Sequence, residues 1–130
     1  MRLAVDTSVV LATLEGTADA LLVYARAGWR LYITEYNLTE VTYVLCRRLG
    51  AEVARATVER LLNSRVLRPY PAAGLHGEAA MCKCKYAISL PDCYTIALAR
   101  RLKTRALFLR EKELEKVLRS GELADVVQFV

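Results

Sequence analysis

The chain has 130 residues, of which 55% are hydrophobic; this size and composition predict one globular domain over residues 1–130 and exclude an intrinsically disordered chain. Nineteen Lys and Arg residues against fourteen Asp and Glu give a net charge of +5, which favours a polyanionic partner without identifying one. No apolar run approaches the roughly 20 residues needed to span a bilayer, and Asp6 interrupts the first run too early for a signal peptide, so we expect a cytosolic protein.

Apolar runs and helical patterns alternate along the chain. The apolar runs predict strands at 3–5, 31–33, 66–69, 106–109 and 126–130, the last of them at an edge. The intervening segments predict helices over about 7–14, 17–27, 35–49, 53–62, 74–84, 89–103 and 112–118. Thr34 is in an N-cap position, and Pro69 is expected to end the third strand. This order predicts an α/β fold with three layers, α/β/α, around a parallel sheet of four to five strands.

The four cysteines are Cys46, Cys82, Cys84 and Cys93. A cytosolic setting disfavours disulfides. Because no CxxC pair is present, a zinc site formed with His76 is also disfavoured. We therefore expect the cysteines to act as small buried hydrophobic residues.

Four acidic residues are candidates for a functional site: Asp6, Glu40, Asp92 and Glu111. Asp6 and Glu111 directly follow predicted strands, at the edge where parallel α/β folds bind their ligands, and Glu40 and Asp92 lie on predicted helices. Each has an ordinary structural alternative. Asp6 suits an N-cap, Glu40 a solvated helix face, Asp92 a capping box with Ser89, and Glu111 the first turn of a helix.

Together these acids favour a functional site. Asp6 and Glu111 leave the carboxyl edge of the predicted sheet, and the helices of Glu40 and Asp92 can reach that edge. Carboxylates that converge in a cleft repel one another unless cations neutralise them. Their oxygen atoms suit Mg²⁺ or Mn²⁺, and two such ions can activate water and hold both oxygens of a phosphoryl displacement. No GxGxxG, Walker A, HExxH or GxSxG motif supports another chemistry.

Four segments of the chain resemble PIN-domain ribonucleases of the VapC toxin type. They are residues 3–11 (LAVDTSVVL), 38–41 (LTEV), 88–97 (ISLPDCYTIA) and 106–114 (ALFLREKEL). They follow the order and spacing of the four acidic motifs of that family. The third is similar to the Ser-Leu-x-Asp context of many archaeal members.

The resemblance implies a PIN fold, a Mg²⁺ or Mn²⁺ cofactor, and endonucleolytic hydrolysis of RNA to 5′-phosphate and 3′-hydroxyl ends. It also implies a homodimer and a VapB-type antitoxin as partners. By the same resemblance, Asp6, Glu40 and Asp92 anchor the metal with support from Glu111. Thr7 or Ser8 would hydrogen-bond the ligands or the phosphate.

The fourth motif departs from the family pattern, since Glu111 replaces an aspartate and Leu109 stands where a threonine is usual. Two alternatives therefore stay open: a non-catalytic PIN-like module that binds RNA or a partner, and a small α/β enzyme acting on a phosphate monoester.

Two further surfaces are predicted from the sequence. A basic cluster close in sequence to two of the acids either follows the RNA backbone or is a solvated face; it comprises Arg100, Arg101, Lys103, Arg105 and Arg110. Helices with several leucines are expected to offer a groove or dimer face to another chain; these leucines are Leu11, Leu14, Leu61 and Leu62.

Overall fold

The computed structural model describes every residue from Met1 to Val130. Five strands form one sheet: β1 (Arg2–Val5), β2 (Arg30–Thr34), β3 (Leu67–Tyr70), β4 (Ala106–Phe108) and β5 (Val127–Phe129). All neighbouring strands are parallel, in the order β3-β2-β1-β4-β5. The seven helices are α1 (Thr7–Glu15), α2 (Ala20–Arg26), α3 (Glu35–Leu49), α4 (Ala51–Asn63), α5 (His76–Lys85), α6 (Leu90–Arg101) and α7 (Lys112–Arg119). A 3-10 turn, Ala73–Leu75, precedes α5.

The sheet separates two hydrophobic cores. Successive side chains of a strand point to opposite faces, so Leu3 and Val5 of β1 pack with α1–α4, whereas Ala4 packs with α5–α7. Both faces of the central strands are therefore covered by helices, and the predicted three-layer α/β/α architecture with a parallel sheet is confirmed, with five strands.

Local capping chemistry explains where the main helices begin and end. Asp6, Thr34 and Ser89 have extended backbones, and their side chains accept hydrogen bonds from the first turns of α1, α3 and α6. Gly16 ends α1 with φ of +77°, a left-handed conformation that glycine adopts without strain. These caps fix the helix starts that follow β1 and β2.

Two element boundaries differ from the prediction. The second helix begins at Ala20 rather than near Thr17. The reason is that the Thr17 and Ala18 amides both donate to the Ala12 carbonyl, so these two residues form the turn that ends α1. The third strand continues through Pro69, which is in register with Ile33. β3 is an edge strand, so proline's missing N–H need not remove a bond between strands.

The prediction for the cysteines was only partly right. Cys93 is buried and Cys82 is half-buried, but Cys46 on α3 and Cys84 on α5 are exposed. All four are free thiols.

The leucines expected to offer a partner face are shared between the core and the surface of the chain. Leu11, Leu14, Leu61 and Leu62 are half-buried and pack against the core beneath α1–α4. An open groove lies between α3 and α4, with a volume of about 500 Å³. Its lining includes Leu38, Tyr43 and Val58.

None of the helices is by itself long and apolar enough to cross a membrane. The α1–α2 pair reaches the necessary length and composition only when taken together, and it is bent by 97°.

Candidate metal centre

Asp6 stands where β1 ends and α1 begins. Its amide donates to the Leu107 carbonyl at 3.0 Å, which extends the β1–β4 pairing to the carboxyl edge of the sheet. Its Oδ2 accepts from the Ser8 amide at 3.1 Å, and its Oδ1 accepts from Thr95 Oγ1 at 3.1 Å. Asp6 is therefore the N-cap of α1, as the structural alternative had it. The same bonds hold its carboxylate at the sheet edge.

Asp92 lies in the first turn of α6. Its amide donates to Ser89 Oγ at 3.2 Å, which anchors that turn beside the carboxyl edge. The side chain is only 3% exposed, and its Oδ2 is buried without a hydrogen-bond partner. A buried, unpaired carboxylate oxygen costs free energy unless a proton or a cation satisfies it.

The two glutamates are less buried than the aspartates. Glu40 is half-buried in the second turn of α3. Glu111 is the residue before α7 and is also half-buried, but its side chain makes no capping hydrogen bond. Its carboxylate is therefore not engaged in capping α7.

All four carboxyl groups line one cavity of about 260 Å³. The other lining residues are Thr7, Ser8, Leu11, Val44, Ser89 and Pro91. Four larger cavities, of about 500, 520, 370 and 330 Å³, contain none of these acids. The smaller cavity is the candidate site because of its carboxylates, not because of its size.

The acids perturb one another's protonation. Burial, then repulsion from Glu40, raises the pKa of Asp6, while hydrogen bonds from Ser8 and Thr95 oppose the rise. Burial, followed by the charges of Asp6 and Glu111, raises the pKa of Asp92 to about 7. Burial and the charges of Asp6, Glu113 and Glu40 raise the pKa of Glu111. The metal-free cavity therefore resists full ionisation.

A cation with oxygen ligands would relieve this repulsion. The carboxylates and the unpaired Asp92 Oδ2 fit a hard divalent ion such as Mg²⁺ or Mn²⁺. No three His, Cys, Asp or Glu side chains are arranged, as they stand, to hold an ion. Side-chain adjustment, or water between a carboxylate and the ion, is thus part of any metal-bound arrangement.

The two hydroxyl residues next to Asp6 have different roles. Ser8 contacts Asp6 through its amide, and its Oγ accepts from the Leu109 amide at 3.3 Å, joining α1 to the end of β4. The Thr7 hydroxyl instead donates to the Asn37 carbonyl and accepts from Asn37 Nδ2. Ser8 thus contacts a predicted ligand, whereas Thr7 is bonded to α3.

Sequence reasoning missed two buried polar residues that support the site. Thr95 bonds Asp6, and Asn37 Nδ2 donates to Thr7 Oγ1 and to the Pro91 carbonyl, both at 3.1 Å. Each lies three residues from a predicted acid on the same helix, Thr95 after Asp92 and Asn37 before Glu40. That spacing places them on the same helix face as the acid and was the available signal.

Most of the predicted basic cluster lies away from the acids. Helix α6 begins at Leu90 beside the carboxyl edge and ends at Arg101, and β4 then starts at Ala106 on the amino edge. Arg100, Arg101, Lys103 and Arg105 are therefore on the side opposite the cavity. Arg110 alone remains near it, paired with Glu115 and placed over the Phe129 ring.

Comparisons with known proteins agree with this fold. VapBC2 from Rickettsia felis, bound to a promoter DNA fragment, matches with a TM-score of 0.75 and 14% identity, covering 100% of this chain and 99% of that one. VapBC-1 from nontypeable Haemophilus influenzae matches with a TM-score of 0.70 and 14% identity, covering 100% of this chain and 97% of that chain. Mycobacterium tuberculosis VapC20 is described as a sarcin-ricin loop cleaving toxin. It matches with a TM-score of 0.61 and 24% identity, covering 80% of this chain and 86% of that chain.

At these identities the structural likeness shows the fold alone. No curated protein matches the sequence. The family model described as PIN domain matches residues 3–119, which is most of the chain and includes all four acids of the cavity. The chain therefore belongs to the PIN domain family.

Proposed function

We propose that this chain, a single PIN domain over residues 1–130, is a metal-dependent endoribonuclease that hydrolyses phosphodiester bonds of RNA. One observation carries the proposal: Asp6, Glu40, Asp92 and Glu111, from four separate parts of the fold, line a single cavity at the carboxyl edge of the sheet. Such a cluster of acids has little structural purpose without a cation, because mutual repulsion opposes its ionisation.

We assign metal binding mainly to Asp6 and Asp92, the two most buried acids, with Glu40 and Glu111 in support. Mg²⁺ or Mn²⁺, when bound, would supply the charge that lowers the pKa of water and offsets the negative charge of the phosphate. Each Asp6 oxygen accepts one hydrogen bond from the protein and retains capacity for a second contact. Ser8 and Thr95 thus orient Asp6 without consuming its ability to bind a cation.

The proposal is tested by incubating the purified chain with a defined RNA in Mg²⁺ or Mn²⁺ and in EDTA. An Asp6→Asn variant purified in parallel controls for contaminating nucleases. We expect cleavage by the wild type with metal, and none in EDTA or by Asp6→Asn. Cleavage that persists unchanged in EDTA, or in Asp6→Asn, would show that the acid cavity is not the catalytic centre.

A non-catalytic module that binds RNA or a partner is the second candidate. The observation in its favour is the departure of the fourth motif from the family pattern, with Glu111 in place of an aspartate and Leu109 in place of a threonine. Metal-dependent RNA binding without strand cleavage, measured under the same conditions, would favour this alternative over the nuclease. Release of inorganic phosphate from a monoester, without RNA cleavage, would instead indicate a phosphatase.

We further propose that the nuclease is the toxin of a VapBC-type pair that acts in the cytosol. Solved structures of similar fold are described as toxin–antitoxin complexes or VapBC assemblies. The α3–α4 groove has the apolar lining expected for an amphipathic helix, so we place a VapB-type antitoxin helix there. Tyr43→Lys should weaken a complex with the antitoxin, and an unchanged dissociation constant would remove the groove from that interface.

We also propose that the chain forms a homodimer. Light scattering should give about twice the 14.6 kDa mass of one chain. A mass that stays at that of the single chain at high concentration would contradict the dimer.

A further inference from the structure

A set of cations occupies the amino edge of the sheet, opposite the acid cavity. We define this basic edge by Arg2, Arg30, Arg100, Lys103 and Arg105. Arg2 and Arg30 are direct register neighbours on β1 and β2, and Arg105 immediately precedes β4 on the other side of β1. Three adjacent strands, β2, β1 and β4, therefore each have an arginine at their amino end.

The basic edge is continuous rather than scattered. A cavity of about 370 Å³ is lined by Arg100, Lys103, Thr104 and Arg105, together with Asp125 and Val126. Thr104 Oγ1 donates to the Arg2 carbonyl at 2.6 Å, which ties the cavity to the start of β1. Arg30 lies beside Arg2 on the next strand.

Some of these cations have structural roles. Arg105 donates to the carbonyls of Ala124, Asp125 and Val127, and an Arg2 nitrogen donates to the Leu102 carbonyl. Arg100 pairs with Asp125 at 3.5 Å.

Arg30 and Lys103 are different. Both are exposed, and the side chain of neither makes a hydrogen bond or ion pair within the chain. Asp125 is the only acid that lines the cavity, so the charge of the basic edge is largely uncompensated. Like charges on neighbouring strands repel, and bound anions would offset that repulsion.

We propose that the basic edge is a second RNA-binding surface that holds the sugar-phosphate backbone of a folded RNA while another part of that RNA lies at the acid cavity. The inference rests on the proposed function for its choice of RNA. Arginine and lysine contacts to phosphates bind RNA regardless of sequence, which suits a surface distant from the cleavage site.

The separation of the two surfaces sets the kind of substrate. Arg100, the residue of the basic edge that lies on α6, comes eight residues after Asp92, a distance of about 12 Å along the helix axis. At the ~3.4 Å of rise per nucleotide of a stacked helical strand, about four nucleotides cover this distance, and a strand that follows the protein exterior needs more. The substrate class is therefore an RNA long enough to reach both surfaces, such as a hairpin, rather than a dinucleotide.

The test compares the double variant Arg30→Gln/Lys103→Gln with a matched control, Arg55→Gln/Arg60→Gln on α4. Both remove two exposed charges, and neither alters the acid cavity. RNA binding is measured by fluorescence anisotropy with a labelled hairpin in EDTA at several salt concentrations. Cleavage of the hairpin and of a small chromogenic phosphodiester is measured in Mn²⁺.

We expect the basic-edge variant to bind the hairpin at least about fivefold more weakly than the wild type does. The slope of its log K against log salt should be smaller in magnitude by about 1 to 1.5. The control should change little. With the hairpin, KM should rise while kcat stays the same, and cleavage of the small phosphodiester should be unaffected. Equal binding and equal salt slopes in the two variants would overturn the inference.

Failure of the two proposals can be told apart. If wild-type protein cleaves neither substrate, the proposed nuclease is wrong, but the anisotropy comparison still tests the basic edge. If cleavage occurs and the basic-edge variant binds the hairpin as the control does, only the second surface is wrong.

Discussion

The Thr95 hydroxyl donates to Oδ1 of Asp6 at 3.1 Å, although 89 residues separate the two along the chain. Thr95 is 1% exposed, and its hydroxyl also lies 3.2 Å from the Pro91 carbonyl. One buried side chain thus connects the acid that ends β1 to the first turn of α6, which carries Asp92. The relative position of the two most buried acids depends on this contact.

Replacing Thr95 with valine should therefore weaken metal binding more than it weakens the fold. Valine keeps the shape but removes the hydrogen bond that orients Asp6. We expect the Mn²⁺ concentration for half-maximal cleavage to rise about 10- to 100-fold, as for other partners that orient metal ligands. Thr95→Ser should restore most of the wild-type response. Superimposable Mn²⁺ titrations of wild type and Thr95→Val would show that Thr95 does not position Asp6.

The raised pKa of Asp92 predicts how stability depends on pH in the absence of metal. Its pKa is about 7 in the folded chain against the ordinary value of 3.8. The folded chain then binds more protons than the unfolded chain between these values, so stability falls as pH rises from about 4 to about 7. At about 1.4 kcal/mol per pKa unit, the loss is at most a few kcal/mol.

Asp92→Asn should flatten this decline and stabilise the metal-free chain at pH 8, while abolishing cleavage. Urea unfolding in EDTA at pH 5 and pH 8 measures the effect, with the exposed Glu59→Gln as control. A wild-type chain that is more stable at pH 8 than at pH 5, or an Asp92→Asn variant with the same slope as wild type, would contradict the assigned environment.

Much of this architecture follows from the sequence because it rests on local chemistry. Apolar runs predicted all five strands, and the Thr34 and Ser89 caps predicted where α3 and α6 begin. Asp6 and Glu111 could be singled out because strand ends of a parallel sheet share an edge, and Glu40 and Asp92 because their motifs resemble those of a known family. The Thr95–Asp6 bond could not be predicted, since it depends on how α6 packs across the sheet.

The basic cluster shows why proximity in sequence misleads. Arg100 is eight residues from Asp92, yet α6 carries it to the opposite edge of the sheet.

Glu111 decides whether the site has three acids or four. If Glu111 contributes to metal binding, Glu111→Gln should shift the Mn²⁺ titration of the cleavage rate to higher concentrations, and Glu111→Asp should retain or increase activity. Mn²⁺ should also support more activity than Mg²⁺ at low concentration, because it tolerates a less regular ligand geometry. Superimposable titrations for wild type and Glu111→Gln would remove Glu111 from the site.

Asn37 holds the helices around the cavity together. It is fully buried and bonds Thr34, Thr7 and the Pro91 carbonyl. Asn37→Ala removes three buried side-chain hydrogen bonds, to Thr34, Thr7 and the Pro91 carbonyl, and should cost about 2–4 kcal/mol of unfolding free energy. Thr39→Ala, an exposed position on the same helix, should cost less than about 0.5 kcal/mol. Equal urea midpoints for the two variants would contradict the structural role of Asn37.

The central claim is that the acid cavity binds a divalent ion through Asp6 and Asp92. Anomalous diffraction from a crystal soaked in Mn²⁺ tests it most directly. We predict an anomalous peak in the cavity, about 2.1 Å from a carboxylate oxygen of at least one of these aspartates, which disappears in Asp6→Asn. A cavity that stays free of anomalous density at saturating Mn²⁺, or a peak that persists in Asp6→Asn, would contradict the assignment.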